Sequence, residues 1–117
     1  MHKIVQKKKF GQNFLTDQSV IEKILSIAGQ LENKSILEIG GGSGNLTKHL
    51  MKAKPKNLIV VEIDKDYVEI LSKILQSSSI KTKLISEDIL KTDIYSYFSE
   101  PPIIFGNLPY NLSLIHI

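Results

Sequence analysis

The 117-residue chain contains no cysteine, which excludes disulfides and thiolate metal ligands and fits a reducing compartment. It contains no arginine either, so all fifteen basic residues are lysine. Any anion the chain meets faces a flexible point charge and not a bidentate fork, a chemistry suited to positioning on phosphates more than to reading bases. No apolar run approaches the roughly 18 residues of a membrane span. The N-terminus has lysines but neither the apolar stretch nor the small-residue cleavage site of a secretory signal. The expectation is a cytoplasmic protein with no membrane partner. His2, His49 and His116 form no pair at metal-ligand spacing, so no metal is expected.

Hydrophobic residues make up 42% and charged residues 23%, ordinary for one globular domain with a real core. The net charge of +3 is unevenly placed. Residues 1–10 hold Lys3, Lys7, Lys8 and Lys9 and no acid, while the remaining eleven lysines face twelve acids. A short basic arm thus precedes a nearly neutral body. Charge alone leaves two readings of it, a solvated terminus and a contact for a phosphate backbone.

Helical and strand periods alternate along the chain. After a cap at Thr16 or Asp17, Val20, Ile21, Ile24, Leu25 and Ala28 fall on one helical face, and Gly29 stops the helix. Residues 35–39 read as a strand running into Gly40-Gly41-Gly42-Ser43-Gly44, and 45–53 as a helix ended by Lys54-Pro55. The β-branched run 58–63 reads as a buried strand, 65–76 as a second crossover helix, 83–86 as a third strand and 94–98 as a weak helical segment. Ile103-Ile104-Phe105 is a fourth strand. This alternation predicts an α/β fold, a doubly wound, mostly parallel sheet that binds ligands outside the carboxyl ends of its strands. The glycine loop, Glu62 and Asp64, Asp88, and Asn107 each follow one of the four strands.

Gly40, Gly42 and Gly44 do not match the dinucleotide fingerprint, because Asn45 stands where its third glycine belongs, and no Lys-Ser/Thr pair makes a P-loop. Glu38, Glu62, Asp64 and Asp88 surround the predicted pocket, whereas the nearest base, Lys48, lies a turn into the helix. Such a pocket repels a pyrophosphate. It suits a ligand bearing a sulfonium and an ammonium, as S-adenosyl-L-methionine does. Glu62 is placed for both ribose hydroxyls. Asp88 is placed for an adenine amino group, or else is simply a cap before the next turn.

In Asn107-Leu108-Pro109-Tyr110, proline restrains its own φ and pushes Leu108 to an extended conformation. The Asn107 side-chain oxygen and the Leu108 carbonyl can then accept from one exocyclic amine, favouring a pyramidal nitrogen whose lone pair faces a sulfonium methyl. Tyr110 can stack on a base taken out of its helix. The plainer alternative is an Asn-x-Pro turn closing a strand.

Together with Phe10-Gly11-Gln12-Asn13-Phe14-Leu15, Glu38-Ile39-Gly40, Val61-Glu62-Ile63-Asp64, Glu87-Asp88 and Gly106-Asn107-Leu108-Pro109-Tyr110-Asn111, these motifs closely resemble the N-terminal portion of the bacterial small-subunit rRNA adenine dimethyltransferases. The resemblance covers nearly the whole chain in order and approximate spacing. It implies a Rossmann-like, S-adenosylmethionine-dependent enzyme that dimethylates adjacent adenines near the 3′ end of small-subunit rRNA, its partner being that rRNA or the assembling small subunit. Carried over by position, Asn13, Leu15, Gly40, Glu62, Asp88 and Asn107 serve the cofactor and catalytic pocket, with Gly42 and Gly44 in the loop and Asn107, Leu108, Pro109 and Tyr110 at the target amine. Gln12 and Asn13 would close over the cofactor. On this basis residues 1–16 are a basic arm with a cofactor-closing motif, and 17–117 a partial catalytic domain.

Two departures stand out. Gly41 occupies a position where the family often has proline, which sets the expectation of a slightly looser loop. Residues 114–117 do not continue the expected helix, and the sheet is expected to stop at about its fourth strand, without the later strands and helical C-terminal domain. Ile103-Ile104-Phe105 would then be an exposed apolar edge and a route to self-association. Two other readings remain: a non-catalytic module binding rRNA or the assembling ribosome, and a large-subunit rRNA methyltransferase of the macrolide-resistance type. Members of that last group typically carry Ile where this chain has Leu108.

Overall fold

A computed structural model describes residues 18–107 and 112–115. Helix α1 (Gln18–Ala28) buries Ile21, with Ile24, Leu25 and Ala28 packed on the same core. Gly29, at φ 82°, ends it by donating its N–H to the Leu25 and Ser26 carbonyls. Strand β1 (Ser35–Ile39) leads through the glycine turn to α2 (Asn45–Lys52). Strand β2 (Asn57–Val61) and helix α3 (Lys65–Gln76) follow, then β3 (Lys81–Ile85). Short 3-10 turns at Ile89–Lys91 and Ile94–Tyr97 precede β4 (Ile103–Asn107) and β5 (Leu112–Ile115).

The strands form one sheet in the order β3-β2-β1-β4-β5. Four run parallel, and β5 returns antiparallel to β4, with Gly106 opposite Ser113. Chain order reverses between β1 and β4, the switch point at which α/β sheets open a crevice at their strand carboxyl ends.

Alternation along β1 separates two cores. Ile36, with Leu58, Val60 and Phe105, packs beneath the helices against Leu46, Leu50 and Leu71. Leu37, Ile59, Val61 and Ile104 face the other way, toward Ile89, Ile94 and Phe98 of the 3-10 segment. β2 is therefore apolar on both faces, which explains its nearly unbroken apolar sequence. β3 stands at one edge, where Lys81 and Lys83 are exposed and discourage pairing with another chain.

The structure corrects several boundaries. β2 ends at Val61 and not at Ile63, because the Glu62 carboxylate accepts the Asp64 N–H and turns the chain toward α3. β3 begins at Lys81, since residues 81–85 pair one for one with 57–61. The expected helical segment at 94–98 is a single 3-10 turn. More consequentially, β4 is not an edge. β5 occupies its outer side, so the expected exposed Ile103-Ile104-Phe105 edge, and the self-association argued from it, lose their basis. Among the described residues no helix is long and apolar enough to cross a membrane.

The start of α3 matched its sequence reading because Asp64 caps it, accepting from the Asp66 N–H at 3.0 Å and the Tyr67 N–H at 3.4 Å. Asp64→Ala should lower unfolding stability by about 1 kcal/mol, read as a lower urea midpoint with the slope unchanged. An unmoved midpoint would mean that the cap bonds add nothing beyond hydration.

Candidate active site

At the carboxyl end of β1 the chain turns into α2 through Gly40, Gly42 and Gly44, whose φ values are 79°, 57° and 89°. Gly44 precedes the first residue of α2, and a β-carbon there would collide with Ile74 Cδ1 while strained by the left-handed backbone. Gly41 answers to a different constraint. A β-carbon on it would stand 2.8 Å from Val60 Cγ1 and 2.9 Å from Leu71 Cδ1, so the loop is seated directly on the core.

Glu62 joins this loop to the tip of β2. One carboxylate oxygen accepts the Gly42 N–H at 2.9 Å, and the other accepts the Asp64 N–H at 3.0 Å. The side chain is nearly buried, yet it borders a cleft of about 110 Å³ whose other walls include Gly40, Ile63, Glu87, Asp88 and Ile89. Asp88 accepts the Leu90 N–H at 3.0 Å and caps the first 3-10 turn, so its capping reading holds while it also lines the cleft. Asn107 ends β4 beside β1, where Gly106 pairs with Ile39, and its backbone therefore lies at the same end of the sheet as Gly40. Asn13, Leu15, Leu108, Pro109 and Tyr110 lie outside the described residues.

Beneath the loop, Glu38 is wholly buried. Thr47 of α2 donates its hydroxyl to Glu38 Oε1 at 2.5 Å, tying β1 to the following helix. Burial pushes the Glu38 pKa up to about 8, the Thr47 bond opposes that shift and the nearby Glu62 charge adds to it. The group is thus a neutral acid at pH 7. Tyr67 is also pushed upward, by burial first and then by the charges of Asp64 and Glu62. Two buried polar atoms here have no hydrogen-bond partner among the described residues: Glu38 Oε2, and Ser43 Oγ within the loop itself.

These features suit one kind of ligand. Positive-φ glycines permit close approach to backbone, Glu62, Glu87 and Asp88 favour cationic and hydroxyl-bearing groups, and Ile63 and Ile89 offer apolar surface. Two orphaned polar atoms leave hydrogen-bonding capacity unused. The set fits an adenosyl sulfonium and is ill suited to a pyrophosphate. Among the described residues no group of three His, Cys, Asp or Glu side chains could hold a metal ion.

Thr47, Ser43, Ile63, Glu87 and Ile89 are lining or supporting residues to which sequence reasoning assigned no role. Thr47 had a signal, a hydroxyl beside Leu46 on the buried stripe of α2. Ile63 had another, an exposed apolar residue between two acids.

The fold and this site define a Rossmann-like methyltransferase. Residues 3–116 match the family of ribosomal RNA adenine dimethylases, and the chain belongs to that family. It is 48% identical over 107 residues to ribosomal RNA small subunit methyltransferase A of Pelagibacter ubique, an alignment spanning 92% of this chain and 39% of that protein. The protein of the same name from Flavobacterium johnsoniae is 41% identical, with 97% and 42% covered. The chain thus spans about two fifths of the length of these relatives. Among solved structures it resembles a dimethyladenosine transferase from Plasmodium falciparum, with a TM-score of 0.65 and 26% identity over 80% of this chain and 33% of that one. The 23S rRNA methyltransferase ErmE superposes with a TM-score of 0.64 at 24% identity over 77% of this chain and 35% of its own, a likeness of fold.

The state of Glu38 has a measurable sign. An acid whose folded pKa of about 8 exceeds its ordinary 4.5 holds its proton more tightly when folded. Its contribution is fully present below about pH 4.5 and is lost as pH rises toward 8, by up to roughly 1.4 kcal/mol per pH unit. Glu38→Gln should therefore gain stability relative to the parent as pH climbs through that window. Parallel stability–pH curves for the two proteins would contradict a neutral Glu38.

Proposed function

We propose that this chain forms the cofactor-binding part of an S-adenosylmethionine-dependent enzyme that dimethylates the exocyclic amines of adjacent adenines in small-subunit rRNA. The observation that carries the reading is the convergence, at the carboxyl ends of β1 and β2 and just beyond β3, of the glycine turn, Glu62 and Asp88 around one anionic cleft. Family membership gives that cleft its chemistry.

When bound, S-adenosylmethionine supplies an electrophilic methyl group on a sulfonium. The chain's own residues bind, orient and exclude water. Glu62 accepts the ribose hydroxyls, its two oxygens already held apart by the Gly42 and Asp64 N–H groups. Asp88 Oδ1 serves the backbone, leaving Oδ2 for the adenine amine, while Ile63 and Ile89 contact the ring. Glu38, held by Thr47, keeps the loop seated without placing a full negative charge under it. Gly40, Gly42 and Gly44 admit the methionine end, and Gln12 and Asn13 close over it, with Leu15 in the pocket.

At the target base, the Asn107 amide oxygen and the Leu108 carbonyl accept the two protons of the amine. Pro109 fixes that carbonyl, and Tyr110 stacks on the unstacked adenine. With the amine's N–H groups accepted in this way, its lone pair would be free for the methyl the cofactor supplies, and no strong base on the chain would be required. Residues 1–16 act as the arm and closing motif, 17–117 as part of the catalytic domain. The substrate, the rRNA or the assembling small subunit, places this work in the cytoplasm.

Glu62→Ala should weaken cofactor binding about tenfold or more in calorimetry, the loss expected for hydrogen bonds to a charged group. Unchanged affinity would mean that the ribose is not held there. Incubating the chain with labelled cofactor and unmethylated small subunits tests the reaction itself. Label in dimethyladenosine supports the enzyme, and binding to the subunit without label supports a non-catalytic module.

A further inference from the structure

Two stretches of the chain carry lysines and no acid. Residues 45–61 contain Lys48, Lys52, Lys54 and Lys56 and no acid, and residues 77–86 contain Lys81 and Lys83 and no acid. Crossover helices run back against parallel strands, so the carboxyl ends of α2 and α3 come to the amino ends of the strands. The acids Glu62, Glu87 and Asp88 gather at the opposite end. Between α2 and α3 lies a groove of about 600 Å³, with Lys48, Lys52 and Lys54 on one wall, the Ser77–Ser79 run on the other, and an apolar floor of Met51, Ile74 and Ile80. None of these three lysines forms an ion pair among the described residues. The acids at the amino ends of the strands are Glu100, 3.6 Å from Lys56, and Glu32 in the loop before β1.

Lys54 carries a second signal. It sits just past the end of α2 at φ 55°, in the left-handed region where glycine or asparagine is usual. Its N–H bonds to the Met51 carbonyl and its own carbonyl accepts from Asn33 at 3.0 Å, which holds the strained conformation in place. A lysine kept in spite of backbone strain fits a site where its charge is used.

We propose that this groove is a second RNA-contact surface, gripping a phosphodiester backbone on the α2–α3 side of the glycine turn. The inference rests on the functional reading above for the identity of the polyanion. Its location follows from the groove. Lysine ammoniums suit phosphates better than bases, the serine wall offers hydroxyls, and a concave channel suits a strand more than a membrane surface. Ile74 of the groove packs against Gly44, so the groove adjoins the glycine turn from its helical side. One RNA can therefore deliver an adenine to the cleft while its backbone rests on the groove.

The test titrates the chain against a fluorescent small-subunit rRNA transcript between 50 and 200 mM salt. Replacing Lys48 and Lys52 by Ala and Lys54 by Gly should reduce affinity tenfold or more and flatten the log–log salt slope by about 0.9 for each phosphate no longer neutralised. Arginine at all three positions should retain binding. Lys54→Gly alone separates function from structure: it should raise Tm by relieving the left-handed strain while lowering RNA affinity. The proposal is overturned by an unchanged salt slope in the triple variant, or by an arginine variant as weak as the neutral one. It is equally overturned if the wild-type chain binds anionic phosphatidylserine vesicles through these lysines, or nothing at all, in place of RNA. Cofactor calorimetry on the same samples shows independently whether the reading of the cleft survives.

Discussion

Glu62 holds two backbone N–H groups at once, that of Gly42 in the turn after β1 and that of Asp64 in the turn after β2. These bonds lock together two loops that would otherwise be joined only through the strands below them. The turn can approach so closely because it is built of glycines and because Gly41 lies against Val60 and Leu71. From this junction the rest follows: α2 starts at Asn45, α3 starts under its Asp64 cap, and the cleft opens between Gly40 and Asp88. One buried carboxylate thus does the joining that a network of side chains does elsewhere.

Directly beneath it lies a second carboxyl group in a different state. Glu38 and Glu62 are close enough to influence each other, and both are buried, but only Glu62 has backbone donors on both oxygens. Glu38 has one hydroxyl donor and an orphaned oxygen, and it keeps its proton. Burial raises the Glu38 pKa against the opposing Thr47 bond, so Glu38 serves as a neutral strut while Glu62 accepts two backbone N–H groups. Environment, not residue identity, makes the distinction.

Much of this was legible in the sequence, for local reasons. The bounds of α3 could be read because Asp64 and Ser77-Ser78-Ser79 mark its ends chemically, and β2 because its apolar run needs two covered faces. The glycine turn, Glu62 and Asp88 could be placed together because parallel topology brings strand carboxyl ends to one side. What escaped was non-local. β5 is short and carries no period long enough to read, so nothing in residues 112–115 announced that they would pair with β4. Glu38 reads as one more acid near the pocket, and only its burial against Thr47 makes it neutral. The lysine groove is built from two helix ends, Lys52 and Gln76, far apart in the chain, a separation no local pattern spans.

The seat beneath Gly41 has a consequence for how such chains diverge. A β-carbon at position 41 would stand under 3 Å from Val60 and Leu71 methyls, so any side chain there requires those neighbours to shift. Residue 41 is therefore not free to drift alone. A lineage moving away from glycine there must reshape its neighbours in β2 or α3 in the same step or pass through a strained intermediate. Positions 41, 60 and 71, scattered along the chain, thus share one packing constraint.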